Sequence, residues 1–198
     1  MHKQVIFERK NILVTGGAGF IGSHLCEELV KTNKVICIDN FNSGIERNID
    51  HLLLNPNFAF IRHDINEPIE LIKMPGLQKF KIDFQGIQEI YNLACPTSPL
   101  DFDKNIETTL LTNSIGVKNI LDIARKFESK VLHFSSSVVY GPRHDNQKKI
   151  QESDLGLIDQ LSPRSSYDEG KRFAESLMAN YRRVFGIDTK ILRLFRTE

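Results

Sequence analysis

Short runs of consecutive apolar, often β-branched residues alternate along this chain with longer stretches whose apolar positions recur every three or four residues. Continuous apolar runs read as strands buried on both faces, and the three-to-four spacing reads as helices with one buried stripe. The alternation is that of βαβ units building a parallel sheet. Strands are predicted at 11–15, 34–39, 58–64, 87–93, 130–135 and 189–194, with helices at 19–31, 45–54, 102–127 and 164–185. In the third helix Ile106, Leu110, Val117, Ile120, Leu121 and Ala124 fall at spacings of three, four and seven, which predicts a single buried stripe.

Two segments break the rhythm. Residues 71–86 contain Pro75, Gly76 and Gly86 and keep no clean period, so they read as an irregular surface insertion. Residues 144–161 are polar and read as a loop beside a site. No internal repeat or low-complexity tract interrupts the single domain, 1–198. The sixth predicted strand is followed by only 195–198. Ligands of such sheets bind beyond the carboxyl ends of the strands, so the expectation is one wall of a site with most of a substrate domain lacking.

Composition narrows the function classes. The 198 residues carry 26 Lys+Arg against 25 Asp+Glu, a formal charge of +1, which gives no basic excess for nucleic-acid binding. No apolar run approaches the roughly 20 residues of a membrane helix, and the charged start at Lys3, Glu8, Arg9 and Lys10 lacks a signal-peptide core. Cys26, Cys37 and Cys95 are scattered and form no C-x-x-C pair, as expected of reduced thiols in a cytoplasmic protein. The six histidines show no metal-ligand spacing. No metal is expected, and His133 reads as a core residue of its strand.

The candidate chemistry sits where predicted strands end. Thr15-Gly16-Gly17-Ala18-Gly19-Phe20-Ile21-Gly22 leads from the first strand into the first helix. Glycines there permit a tight turn and close backbone approach to a pyrophosphate, which the free N–H groups of a helix start attract. Asp39 ends the second strand, where a carboxylate accepts hydrogen bonds from an adenosine ribose and repels a 2′-phosphate, so NAD is expected over NADP. Asp64 ends the third. Ser135, Ser136 and Ser137 leave the fifth strand, and Tyr167 and Lys171 lie one turn apart on one helix face. An ammonium beside a phenol favours the phenolate, the form that acts as a base, so a lowered Tyr167 pKa is expected. Cys95 lacks a partner base and is expected to pack near the cofactor rather than act as a nucleophile.

In order, TGGAGFIGSHL, DNFNSG, HDI, YNLACPTSP, LTNSIGVKNIL, SSSVVYG and YDEGKR resemble the extended short-chain dehydrogenase/reductase family, the NAD-dependent enzymes that epimerise, dehydrate or decarboxylate nucleotide sugars. The resemblance covers essentially the whole chain and is greatest to members that decarboxylate UDP-glucuronate. It implies a Rossmann-type α/β fold, a doubly wound parallel sheet with helices on both faces. It implies that Gly16, Gly19, Phe20, Ile21 and Gly22 cradle the pyrophosphate of NAD and that Asp39 and Asn40 hold the adenosine ribose. Asp64 and Ile65 would face the adenine, and Leu93 and Ala94 would line the cofactor site. Ser136, Tyr167 and Lys171 would be the catalytic triad acting on a UDP-sugar, in a homodimer formed through helices 102–127 and 164–185. Decarboxylating members carry Glu where this chain has Val138, which leaves a 4-epimerase as the near alternative and a non-catalytic NAD-binding module as the distant one. Family members also continue well beyond the 198 residues, and Arg196 and Glu198 depart from their N-T-Y-G run.

Overall fold

The strands β1 (Asn11–Thr15), β2 (Lys34–Asp39), β3 (Phe58–Arg62), β4 (Glu89–Asn92), β5 (Lys130–Ser136) and β6 (Thr189–Leu194) lie in one sheet. All pairs are parallel, in the order β3-β2-β1-β4-β5-β6. This computed structural model describes residues 8–98, 103–142 and 149–195. β1 is buried along its whole length because both of its faces are covered. Ile12 and Val14 pack with Val35, Cys37 and Phe58 beneath α1 (Phe20–Val30). Leu13, Ile36, Ile38, Ile90 and Val131 face the opposite layer. The strand order reverses between β1 and β4, so the carboxyl ends of these two strands open a crevice at the switch point.

The opposite layer contains α3 (Ile106–Leu111), α4 (Val117–Phe127) and α5 (Ser165–Phe185). The long helix predicted at 102–127 is not continuous; residue 102 lies outside the described residues. A 3₁₀ turn at Asp103–Asn105 leads into α3, and a π-helical turn at Thr112–Gly116 separates α3 from α4. The wider turn rotates the buried face, which corrects the single stripe. Val117, Ile120, Leu121 and Ala124 are buried, whereas Ile106 and Leu110 are exposed and the inner positions are taken by Thr109 before the turn and Thr112 and Asn113 within it.

The predicted helix at 45–54 is two 3₁₀ turns, Glu46–Asn48 and Asp50–Leu52. Its start is tied to the glycine loop, because the Ala18 carbonyl accepts from both Ile45 N and Asn48 Nδ2. Only Ile49 and Leu52 are buried as anchors, and their i, i+3 spacing fits the tighter winding. Residues 71–86 are irregular but not merely surface. Leu71, Leu77, Phe80 and Ile82 enter the core from two 3₁₀ turns (Leu71–Lys73, Gln78–Phe80) and the short helix α2 (Ile82–Gln85). Anchors presented from turns have no fixed period, which is why the pattern was silent. Residues 149–161 contain no helix or strand, and 144–148 lie outside the described residues.

Asn11 is the clamp that holds this connection. Fully buried, it donates from Nδ2 to the carbonyls of Phe80 and Gly86, each at 2.9 Å. Asn11→Ala strands both acceptors in the interior and is expected to lower the unfolding free energy by about 2 kcal/mol. Equilibrium urea denaturation checks this, and a loss below about 0.5 kcal/mol, the scale of an ordinary surface substitution, contradicts it.

Candidate functional site

The chain leaves β1 at Thr15 and turns through Gly16, whose φ of +72° is a left-handed conformation. Gly16 N donates to the Ile38 carbonyl (2.8 Å), and the Gly16 carbonyl accepts from Gly19 N (3.2 Å). A Cβ on Gly16 would lie 2.7 Å from Ala94 N, and one on Gly22 would strike the Gly16 carbonyl. Glycine is therefore required for contact between β1, β4 and α1. Gly19 precedes α1 in an extended conformation without a side-chain cap, so the first-turn N–H groups of Phe20, Ile21 and Gly22 have no intrahelical acceptor. That positive helix end borders the cleft.

Asp39 closes β2 under this loop. Its Oδ2 accepts from Ala18 N at 3.0 Å and its Oδ1 from Phe41 N at 2.8 Å. Phe41 itself has φ +62°, uncommon for a bulky residue, and its ring packs on Phe60 with the Arg62 guanidinium over it. Burial raises the Asp39 pKa above the usual carboxylate value, and the two backbone donors oppose that rise. Asn40 Nδ2 donates to Asp64 Oδ2 (3.0 Å), and Asp64 Oδ1 accepts from Asn66 N (2.9 Å), which joins the ends of β2 and β3.

Across the cleft, α5 buries Tyr167, Lys171, Ala174 and Met178, spaced three or four residues apart, against β5. The Ser136 side chain lies beside the Tyr167 phenol and favours its ionised form. Lys171, 3% exposed, donates from Nζ to the Phe134 carbonyl (2.9 Å) and lies 5.9 Å from the Tyr167 ring centroid. The phenol pKa is raised rather than lowered, which corrects the sequence expectation. Burial is the leading cause and the nearby Cys95 and Asp168 add to it, while Ser136 and Arg164 oppose it. All three serines border the cleft, and Ser135 gives its hydroxyl to Glu175 Oε1 (2.6 Å). Glu175 in turn forms a bidentate pair with Arg193 of β6 (2.9 and 2.7 Å), and Arg193 donates to the Tyr140 hydroxyl (2.7 Å).

Every residue singled out above for cofactor or chemistry borders one cleft of about 1440 Å³ at the strand ends. These are Gly16, Gly19, Phe20, Ile21, Gly22, Asp39, Asn40, Asp64, Ile65, Leu93, Ala94, Ser136, Tyr167 and Lys171. Cys95 also borders it, accepting from Asn113 Nδ2 at 3.2 Å. Val138, singled out in the sequence, also faces the cleft. Two features escaped the sequence reading. Arg164 and Asp168 border the cleft beside Tyr167 and form an ion pair at 3.5 Å; their i, i+4 spacing was the available signal. The other is a buried polar rung beneath the cleft, in which Thr15 Oγ1 donates to Asn92 Oδ1 (2.6 Å) and Asn92 Nδ2 meets His133 Nδ1 (3.1 Å). Nothing in periodicity distinguishes such residues from ordinary core positions. Among the described residues no group of three His, Cys, Asp or Glu side chains could hold a metal ion.

Sheet order, glycine loop and cleft together define a Rossmann-type domain. Residues 13–198 match the family model described as GDP-mannose 4,6 dehydratase, and the chain belongs to that family. It is 41% identical over 191 residues to UDP-glucuronic acid decarboxylase 1 of Arabidopsis thaliana, covering 96% of this chain and 40% of that protein. Identity to UDP-glucuronic acid decarboxylase 6 of the same plant is also 41%, over 94% of this chain and 50% of that protein. The chain thus spans about half the length of the curated relatives it matches. Among solved structures it is similar to UDP-glucuronic acid 4-epimerase from Bacillus cereus in complex with NAD (TM-score 0.73, 34% identity, 93% of this chain and 56% of that one). A UDP-N-acetylglucosamine 4-epimerase from Methanobrevibacter ruminantium gives the same TM-score of 0.73 at 28% identity, over 94% and 55% of the two chains.

His133 supplies a pH test of this architecture. Burial, followed by the nearby Lys171 charge, holds its pKa well below the ordinary 6.5. Below pH 6.5 the unfolded chain takes up a proton at this position that the folded chain does not, so folding stability falls with pH, by at most about 1.4 kcal/mol per unit. Unfolding free energies measured between about pH 6.5 and 5 should show that slope, and His133→Leu should flatten it. An unchanged slope in the variant contradicts the assignment.

Proposed function

We propose that this chain forms the NAD-binding and catalytic half of an enzyme that modifies a UDP-sugar by transient oxidation at C4, with decarboxylation of UDP-glucuronate to UDP-xylose as the reaction. The observation that carries the reading is the placement of Tyr167 beside Ser136, with buried Lys171 one turn on, facing a glycine loop across a shared cleft. The cleft fits a dinucleotide. Gly16 and Gly22 let β1, β4 and α1 close against one another at the cleft, the first turn of α1 offers free N–H groups, and the volume exceeds the roughly 300–1,000 Å³ of ordinary small-molecule sites. Gly16, Gly19, Phe20, Ile21 and Gly22 would hold the pyrophosphate, Asp39 and Asn40 the ribose, Asp64 and Ile65 the adenine, and Leu93 and Ala94 the inner wall.

Bound NAD⁺ would supply a hydride acceptor for the sugar C4–H. Tyr167 takes the proton of the 4-hydroxyl, and Ser136, beside the phenol, orients that hydroxyl. Because burial raises the phenol pKa, the base form depends on positive charge and hydrogen bonding. Ser136 and Arg164 supply part of this, and Lys171, fixed by the Phe134 carbonyl, stands ready on the same helix face. The 4-keto acid so formed would lose its carboxyl group as CO₂ and take up a proton at C5; return of the hydride to C4, with Tyr167 giving its proton back to O4, would then complete UDP-xylose. Val138 favours a second reading, 4-epimerisation, because an apolar side chain there cannot move protons and inversion at C4 needs no further acid–base group.

A homodimer through helices 102–127 and 164–185 is supported by Ile106 and Leu110 on α3 and Phe173 on α5, which stand exposed. A cytoplasmic setting is supported by three free cysteines, two of them buried and all unpaired. Among the described residues no helix is long and apolar enough to cross a membrane.

Two measurements test the proposal. NAD should bind more tightly than NADP, and Asp39→Ala should narrow the difference, since it removes the charge that repels a 2′-phosphate. Equal affinities in the parent protein refute this. In the full natural chain, Tyr167→Phe should reduce turnover by about 100-fold or more with NAD affinity nearly unchanged, as for loss of a general acid–base group. CO₂ release from UDP-glucuronate separates decarboxylase from epimerase, and a Tyr167→Phe protein within a few-fold of the parent rejects both.

A further inference from the structure

The buried rung Thr15–Asn92–His133 has no part in the chemistry above, yet it joins the two halves of the site. Thr15 pairs with Asn92 and Asn92 with His133 at one level across β1, β4 and β5. All three side chains are at most 1% exposed. Thr15 immediately precedes Gly16, and Asn92 precedes the Leu93–Ala94 backbone against which Gly16 packs. His133 precedes Phe134, whose carbonyl holds the Lys171 ammonium. Because Thr15 donates to Asn92 Oδ1, the Asn92 amide turns Nδ2 toward the ring, so His133 Nδ1 is the acceptor and the ring proton sits on Nε2. That Nε2 has no hydrogen-bond partner among the described residues, an arrangement that space filling alone would not retain.

We propose that His133 is a positioning residue: its bond to Asn92 sets the level of β5 against β1 and β4, and thereby places the Phe134 carbonyl that aims Lys171 at Tyr167. The inner face of β5 is then pinned twice, at His133 by Asn92 and at Ser135 by Glu175, with the lysine acceptor between the two pins. Its neutral ring suits the place, since a second cation beside Lys171 would loosen that ammonium.

The inference rests on the Tyr167–Lys171 reading, and the test separates the two. In the full natural chain, His133→Leu should lower kcat by about tenfold or more, while the sugar KM and the NAD Kd stay within about threefold. His133→Asn places an amide oxygen near the position of Nδ1 and should recover kcat to within about threefold of the parent, whereas His133→Gln, which reaches only the Nε2 position, should not. Thr15→Val, which cuts the far end of the rung, should give a smaller loss of the same kind and serves if His133→Leu does not fold. A His133→Leu kcat within about threefold of the parent, a loss shared equally by KM and Kd, or an Asn variant no better than Leu at matched melting temperature overturns the inference. Parental turnover in Tyr167→Phe would instead overturn the site reading itself.

Discussion

The contact on which the site depends is between two backbones. Gly16 lies so close to the Leu93–Ala94 peptide that an added Cβ would sit 2.7 Å from Ala94 N. That approach brings the end of β1 against the end of β4 at the place where strand order reverses. It opens the crevice on one side to α1 and on the other to β5 and α5. If the contact were propped open by a side chain, the helix start and the Ser136–Tyr167 pair would no longer share a wall. Gly22 makes the equivalent requirement one turn later, where α1 lies against the Gly16 carbonyl.

Around this contact the buried polar groups are arranged in local sets. Asp39 gives both oxygens to backbone donors, from Ala18 in the loop and Phe41 in the following turn, so the carboxylate fixes loop geometry as well as facing the cleft. Lys171 is held by a strand carbonyl, and Ser135, Glu175, Arg193 and Tyr140 form a second chain that ties α5 to β6. A buried charge without partners is costly, and these partners come from different strands and helices. The electrostatics of the cleft is therefore a property of the packed sheet. The clearest consequence is the Tyr167 phenol, whose pKa burial raises although a lysine lies one turn away.

Much of this was legible in the linear pattern. Six apolar runs mark the six strands, and three of them, 11–15, 34–39 and 189–194, match the observed bounds. The glycine spacing, Asp39 and the Tyr167–Lys171 interval all belong to one cleft because a parallel sheet places every strand's carboxyl end on the same side. The misreadings share a cause. At 45–54 and 71–86 the buried anchors come from turns tethered by distant backbone, and at 112–116 a π turn shifts the phase of an otherwise regular helix. Periodicity detects an element that keeps one face buried and fails where tertiary bonds choose the winding.

The sequence by itself thus determined the alternation of strands and helices, the parallel class of the sheet, and the residue types at the strand ends. These follow from local sterics, apolar spacing and the conformational freedom of glycine, all carried by near neighbours in the chain. Only the tertiary structure decided which of those residues meet, how deeply Tyr167 and Lys171 are buried, and that Thr15, Asn92 and His133 form a rung. Their separations are 77 and 41 residues, and no local rule links positions so far apart. Register between strands brings them to one level, and exclusion of water from that level sets their hydrogen bonds and protonation.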